Sequence, residues 1–418
     1  MTIQTMKTFC CRGCATGLDT PFLDLGMQPL SNRYLAPSEL TCMEPFYPLR
    51  VFFCPECYLV QLEEFESPEA IFGDYAYFSS YSDSWLEHAR RYVDDMVQRF
   101  DLSERSRVVE IASNDGYLLR NFVQRGIPSL GVEPARNVAE VAREAGIPTV
   151  SKFFGRGTAQ EIVDDGGRAD LVIGNNVLAH VPDLDDFVGG LSILVAPDGV
   201  LTMEFPHLAR LLEENQFDTI YHEHFSYFSL LAVEQIFAQK GMTVWDVDEL
   251  PTHGGSLRIY VSHASAGREM TQRVHDLRER EQRAGLRDVG TYDAFARRVE
   301  AMKRDFLDFF IQAKRDGKQV VGYGAPAKGN TMLNYCGIRS DFMDYTVDRS
   351  PHKQGHFLPG SHIPIRHPDM IGETKPDYVC ILPWNLKDEV RQQLSGISAW
   401  GGMFVVLIPL VDILSDTL

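Results

Sequence analysis

Between residues 107 and 263 the chain repeats one pattern: a short apolar run, a turn, then apolar positions three and four residues apart. It begins at RVVEIASNDGYLL, 107–119. Val108, Val109 and Ile111 read as a strand buried on both faces of a parallel sheet. Asn114-Asp115-Gly116 turns the chain, and Tyr117, Leu118, Leu119, Phe122 and Val123 then recur at helical spacing. The helix N-terminus of such a βαβ unit offers backbone N–H groups to a polar ligand. Strands are predicted over Val108–Ala112, Ser129–Glu133, Pro148–Phe153, Ala169–Gly174, Val200–Phe205, Thr243–Val247 and Ser256–Val261, the last two an antiparallel pair joined through PTHGG.

Other patterns flank this block. Upstream, an aromatic run DYAYFSSYSDSW precedes a helix marked by Trp85, Ala89, Tyr92, Val93, Met96, Val97 and Phe100. Downstream, 268–316 is charged and helical, and VVGYGAPAKGNTML, DYTVD, DYVCIL and MFVVLIPL supply the strands of a second α/β segment. The class is α/β in three parts: a small module over 1–65, a Rossmann-like domain over 66–265 and a second Rossmann-like α/β domain over 266–418.

Composition narrows the function. The 418 residues are 44% hydrophobic, and 40 Lys+Arg against 58 Asp+Glu leave a net charge of -18. Nucleic-acid binding wants a basic face and is not expected. The N-terminus has no apolar signal region and no run reaches about 18 apolar residues, so a cytoplasmic protein without a membrane partner is expected. Eight cysteines in a reducing compartment point to metal or burial rather than disulfides.

Cys11-x-x-Cys14 and Cys54-x-x-Cys57 are two matched knuckles. Four thiolates make a closed tetrahedral zinc site with no open position, hence a structural one. Cys10 competes with Cys11, but the spacing favours Cys11. The spacing Glu110-x-Ala112-x-Asn114-Asp115-Gly116 places small or αL-tolerant residues where a ligand approaches the backbone. Glu133 ends the next strand on the same edge, 23 residues past Glu110. Asn175 and Asn176 close a further strand, with His180 just beyond. YHEHFSYF, 221–228, crowds ionisable groups into an aromatic segment, and an acid–base cluster is more economical than a metal site. Gly322-x-Gly324-x-x-Ala327 with Lys328 follows a strand, and suits either a nicotinamide cofactor or a sugar-nucleotide diphosphate bound by Lys328.

The 110–116 stretch resembles motif I of the class I S-adenosylmethionine (SAM) methyltransferases, with Ala112 and Asn114 where glycines are usual. Taken in order, the two knuckles, EIASNDG, GNNVLAHVPD, YHEHFSYFS, HGGSLR (253–258) and GYGAPAKGNT (322–331) resemble the three-part sugar C-methyltransferases of antibiotic deoxysugar pathways. That resemblance implies SAM as methyl donor, bound by Glu110, Ala112, Asn114, Asp115, Gly116, Glu133, Asn175 and Asn176. It implies methylation at C-3′ of a dTDP-linked 4-keto-deoxyhexose through an enolate, in a monomer. The active-site residues carried over are Tyr75, His180, Tyr221, Glu223 and His224, with His224 as base. Tyr77, which competes with Tyr75, joins His222, Gly324, Lys328 and Asn330 as candidate substrate contacts. Other readings are methylation at C-5′, an NAD-dependent nucleotide-sugar oxidoreductase resting on GYGAPAKG, and a non-catalytic zinc-and-Rossmann interaction module.

Overall fold

In the computed structural model, residues 9–67, 80 and 83–414 are described. The chain forms two compact units, and each is assembled from separated segments. One comprises Met1–Asp19, Cys54–His207 and Phe225–Arg287; the other comprises Thr20–Phe53, Leu208–His224 and Asp288–Leu418.

The first unit is built on seven strands: β1 (Val108–Ile111), β2 (Ser129–Val132), β3 (Thr149–Val150), β4 (Ala169–Asn175), β5 (Val195–Pro206), β6 (Met242–Leu250) and β7 (Ser256–His263). Their order is β6-β7-β5-β4-β1-β2-β3, with β7 antiparallel to both neighbours. The order reverses between β1 and β4, and the loops leaving those strands form the edge where open α/β sheets bind ligands. All four residues of β1 are buried, which explains why three of them are apolar, Glu110 being the exception. Tyr92, Met96, Leu118, Phe122, Ile173 and Tyr260 pack as one core.

Two local expectations change. The strand expected over 148–153 shortens to the edge strand β3. The first crossover helix runs only Leu119–Val123, two residues later than its periodicity suggests. Ala112, Asn114 and Gly116 take φ of +55°, +49° and +76°, and Gly116 N–H closes a turn on Ser113 O at 3.1 Å. The turn consumes the residues that periodicity assigned to the helix. The backbone leaving β1 is thus a left-handed loop followed by a short helix.

The buried Glu281 carboxylate caps the helix Leu230–Ala238, accepting from Leu230 N at 2.7 Å and Leu231 N at 2.9 Å. His207 Nε2 lies 2.7 Å from the same carboxylate.

The second unit carries an antiparallel pair, Leu23–Gln28 with Tyr47–Phe53, and a six-stranded sheet. Its strands are β8 (Val320–Tyr323), β9 (Thr346–Val347), β10 (Ile365–Arg366), β11 (Tyr378–Ile381), β12 (Met403–Val406) and β13 (Asp412–Leu414), in the order β10-β9-β8-β11-β12-β13 with β13 antiparallel. The charged stretch 268–316 divides at Gly285 (φ +77°) into Gln272–Arg283 in the first unit and Val289–Arg315 in the second. The longer helix buries Tyr292, Phe295, Val299, Met302, Phe306 and Phe310 at three- and four-residue steps, and Tyr292 stacks on Phe53 at 4.2 Å. Among the described residues, no helix is long and apolar enough to cross a membrane.

Removing the Glu281 side chain would orphan two buried amides and an imidazole nitrogen. Glu281→Ala should cost about 3 kcal/mol, read as a lowered denaturant midpoint at unchanged slope.

Candidate functional site

The two cysteine knuckles are local copies of each other. In each, the first cysteine's N–H bonds the carbonyl five residues on, and its carbonyl accepts the N–H four residues on (Thr16 and Ala15; Leu59 and Tyr58). Ala15 and Tyr58 both take the left-handed conformation, at φ +62° and +64°. The four sulfurs lie within 4.8 Å of one another, with Cys11–Cys57 at 3.4 Å and Cys14–Cys54 at 3.5 Å. A zinc ion with bonds of about 2.3 Å has sulfur–sulfur edges of about 3.8 Å, so the set fits tetrahedral zinc. Cys10 is exposed and outside the cluster. Gln61 Nε2 and Gly13 N donate to Cys11 Sγ at 3.0 and 3.3 Å. The bond from Cys57, with those from Gln61 and the backbone, pulls the Cys11 thiol down to about 5. A Cβ on Gly13 would stand 3.1 Å from Cys57 Sγ, which explains a glycine inside the knuckle. Zinc held by Cys11, Cys14, Cys54 and Cys57 supplies cross-linking rather than chemistry, since four thiolates fill its coordination.

At the sheet edge of the same unit, Glu133 holds the β1 loop. Its carboxylate accepts from Asn114 N at 3.0 Å and Ala135 N at 2.8 Å. Burial raises the Glu133 carboxyl against those bonds. Burial also raises Glu110 well above the usual range, with the Glu133 and Asp115 charges adding to it. Asp115 takes Ser80 N at 3.1 Å. Six buried acceptors in this region have no hydrogen-bond partner among the described residues: Glu110 Oε2, Asp115 Oδ1, Asn175 Oδ1, Asn176 Oδ1, and the Ser113 and Ser151 hydroxyls. Acid-rich, donor-poor surroundings suit a ligand that brings donors and positive charge. SAM brings an ammonium, a sulfonium, ribose hydroxyls and an adenine amine. Glu110, Asn114, Asp115, Gly116, Glu133, Asn175 and Asn176 are thus brought to one edge, and Ala112 contributes backbone. His180 ends a short helical turn, Leu178–His180, after that Asn pair. Tyr75 and Tyr77 lie outside the described residues.

In the second unit, 221–224 is a turn, closed by His224 N on Tyr221 O at 2.9 Å. The turn sends its four side chains different ways. Tyr221 and His224 face each other, with Tyr221 Oη 2.8 Å from His224 Nε2 and ring centroids 4.1 Å apart. His222 turns inward, its Nε2 on Pro48 O at 3.1 Å and its ring edge-on to Tyr47. Burial lowers its affinity for a proton. The buried Glu223 receives Asn32 Nδ2 on both oxygens, at 2.9 and 2.7 Å, and burial pushes its carboxyl up to about 7 against those bonds. No second cluster of three or more metal-ligating side chains occurs among the described residues.

The GYGAPAKGNT segment lies in this unit. Ala325 O accepts Tyr34 Oη at 2.6 Å and Lys353 Nζ at 2.9 Å, and Ala325 N donates to Asp348 Oδ2 at 2.8 Å. Gly324 has φ +86°, and a Cβ there would meet Pro383 at 2.6 Å. Lys328 donates to Asn385 Oδ1 and lies 4.4 Å from the Trp384 ring centroid. Burial lowers it to about 8, against the attraction of Asp218. Asp218 accepts Trp384 Nε1 at 2.7 Å, and burial raises it to about 6. Asn330 donates to Ser31 O at 2.6 Å, and Thr331 to Ile220 O at 2.9 Å.

Sequence reasoning did not find Asn32, Tyr34, Lys353 or Asp218. Asn32 is a lone polar residue in a loop, 191 positions from Glu223, and carries no spacing signal. Asp218, three residues before Tyr221, follows the polar run 213–216 and carries no spacing signal either.

Two outcomes follow. Cys54→Ser should lose most bound zinc, measured by elemental analysis, and lower the melting temperature of the whole chain. Glu223 should give an infrared carboxyl titration near pH 7, neutral below it and ionised above it. Asn32→Ala removes the N–H that favours the anion and should move that midpoint upward, whereas Glu223→Gln should abolish it.

Family models match the chain in three stretches: a putative zinc binding domain at 11–72, a methyltransferase domain at 85–247 and a C-methyltransferase C-terminal domain at 251–409. The chain is 37% identical over 399 residues to the C-methyltransferase NovU of Streptomyces niveus, covering 96% of this chain and 95% of that protein. A ubiquinone biosynthesis O-methyltransferase of Azorhizobium caulinodans is 29% identical over 116 residues, 26% of this chain and 46% of that protein. Among solved structures, magnesium protoporphyrin IX methyltransferase from Synechocystis PCC 6803 is similar at 16% identity and a TM-score of 0.32, covering 47% of this chain and 88% of that one. Matched along nearly its whole length, the chain belongs to the C-methyltransferase family and is a SAM-dependent C-methyltransferase with an N-terminal zinc module.

Proposed function

We propose that the chain methylates the ring carbon beside the ketone of a dTDP-linked 4-keto-deoxyhexose, at C-3′, with the Tyr221–His224 couple as the base. The 2.8 Å bond between phenol and imidazole carries this reading. A neutral imidazole titrates near the working pH that a general base wants, and a hydrogen-bonded phenol fixes its ring. The ketone acidifies the neighbouring C–H. As that C–H bond breaks, the proton passes to the couple and the electron pair enters the enolate. The enolate carbon then forms a bond to the donor methyl while the sulfur–methyl bond breaks and its electrons return to sulfur. A cationic donor and an anionic carbon thereby give two neutral products.

His180 donates to the enolate oxygen in this reading, where one well-placed donor is worth roughly 3 to 4 kcal/mol. Glu223, poised by Asn32, takes a sugar hydroxyl. Gly324 and Lys328 serve the nucleotide diphosphate. Asn330 acts from behind, because its amide holds Ser31 O. Glu133 takes the ribose of the methyl donor, each of its oxygens retaining a lone pair beyond the amide it accepts. The family models and the 37% identical relative support C-methylation; sugar, carrier and position come from the resemblance of the motifs.

Enolisation can be followed without methyl transfer. With a dTDP-4-keto-6-deoxyhexose and the demethylated cofactor in deuterated water, the native protein should exchange the C-3′ proton, followed by NMR. His224→Asn should slow exchange at least a hundredfold while both ligands still bind. Exchange at C-5′ would move the position, and exchange at the native rate in the variant would remove His224 from the role.

A further inference from the structure

One sequence motif has no part in the chemistry above: HGGSLR, 253–258. It joins β6 to β7 and sets His253 in the left-handed conformation, φ +55°, ahead of two glycines at φ +88° and +117°. A side chain with a Cβ is strained there, so the surroundings must hold it. They do so through Glu204, on β5. Thr252 Oγ1 donates to Glu204 Oε1 at 3.0 Å. Gly255 N and Ser256 Oγ both donate to Thr252 O, at 2.9 and 3.0 Å. Glu204 is itself fixed by Arg258 Nη2 at 2.7 Å and His88 Nε2 at 3.2 Å. Trp85 stacks on His88 at 4.9 Å and meets the His253 ring edge-on at 5.3 Å.

The held imidazole reaches Asn176. Asn176 Nδ2 lies 3.2 Å from His253 Nε2. Asn176 also has positive φ, +53°, and its backbone N donates to Glu204 O at 2.7 Å. Both residues therefore hang from Glu204. With Nδ2 given to the imidazole, Oδ1 is buried and has no hydrogen-bond partner among the described residues. An unfilled buried acceptor is costly, and a ligand that fills it recovers that cost.

We propose that His253 is a positioning residue for the methyl donor: it fixes the rotamer and the flip of the Asn176 carboxamide, so that Oδ1 faces the sulfonium end of SAM. Three points carry it. Asn176 leaves β4 beside the β1 loop, on the edge where the donor binds. Glu133 lies on the β2 side of β1, leaving Asn176 on the opposite side for the other end of the ligand. A carboxamide oxygen is a partial negative charge, which favours a cationic sulfonium with polarised methyl hydrogens over the neutral thioether that remains after transfer. His253 reaches the reaction only through Asn176.

The test is the ratio of affinities for SAM and for its demethylated product, S-adenosylhomocysteine, measured by calorimetry on the full chain. His253→Ala should weaken SAM about tenfold and the product less than twofold, because the lost contact senses charge. His253→Gln, whose Oε1 can accept from Asn176 Nδ2, should restore SAM affinity to within about threefold. Asn176→Ala should match His253→Ala, and the double variant should be no worse than either single one. Equal losses for both ligands, additive losses, or unchanged SAM affinity would each overturn the assignment. Should His253→Ala fail to fold, Asn176→Ala compared with Asn176→Ala/His253→Gln decides: equal SAM affinities support it, a further loss refutes it.

Discussion

A buried carboxylate is costly to keep ionised, and its cost falls only when N–H groups or cations fill its lone pairs. This chain uses that constraint as its fastening. Glu281 gathers two helix amides and His207. Glu133 joins the β1 loop to the segment after β2. The half-buried Asp348 joins the β8 loop to Ser350 in the same way. Glu204 joins the β6–β7 turn to the helix that carries His88. Each acid ties segments that sequence order separates, and two of the loops they hold carry Asn114 and Gly324 among the candidate site residues.

Partners decide which of these acids is a fixture and which can titrate. Burial raises both Glu204 and Glu223. At Glu204 the bonds and charges of His88 and Arg258 overcome it and hold the carboxyl at about 2. Glu223 has a neutral amide for its partner and stands at about 7. The first is an anion at any physiological pH. The second changes charge near neutrality.

The sequence was legible where a signal is local. The β1, β4 and β5 strands are buried on both faces, so their apolar runs mark them without reference to anything distant. The cysteine knuckles are likewise local, because two residues between ligands impose the turn. Legibility failed where geometry is set across the chain. The short first helix depends on three alternate left-handed positions, Ala112, Asn114 and Gly116, only one of them a glycine. Asn32 became visible as a partner of Glu223 only once a loop 191 residues away had been folded against it. The segment 221–228 looked like crowded ionisable groups; only the turn at 221–224 separates His222 from the Tyr221–His224 couple.

The glycine-rich segment after β8 shows how a fingerprint can outlast its usual task. In a dinucleotide site the backbone of such a loop approaches a pyrophosphate, and the acid after the next strand takes a ribose. In this chain Asp348, that acid, accepts Ala325 N and Ser350 N, and Ala325 O takes Tyr34 and Lys353. The helix that follows, Ala327–Cys336, sends Asn330 to Ser31 O and Thr331 to Ile220 O. Ser31 adjoins Asn32, and Ile220 adjoins Tyr221. The same helix therefore sets the spacing between the amide that poises Glu223 and the turn that pairs Tyr221 with His224. A Rossmann-like strand, loop and helix serves as the bracket for the Tyr221–His224 pair, and Gly324 and Gly329 are needed for close packing against Pro383 and Leu382.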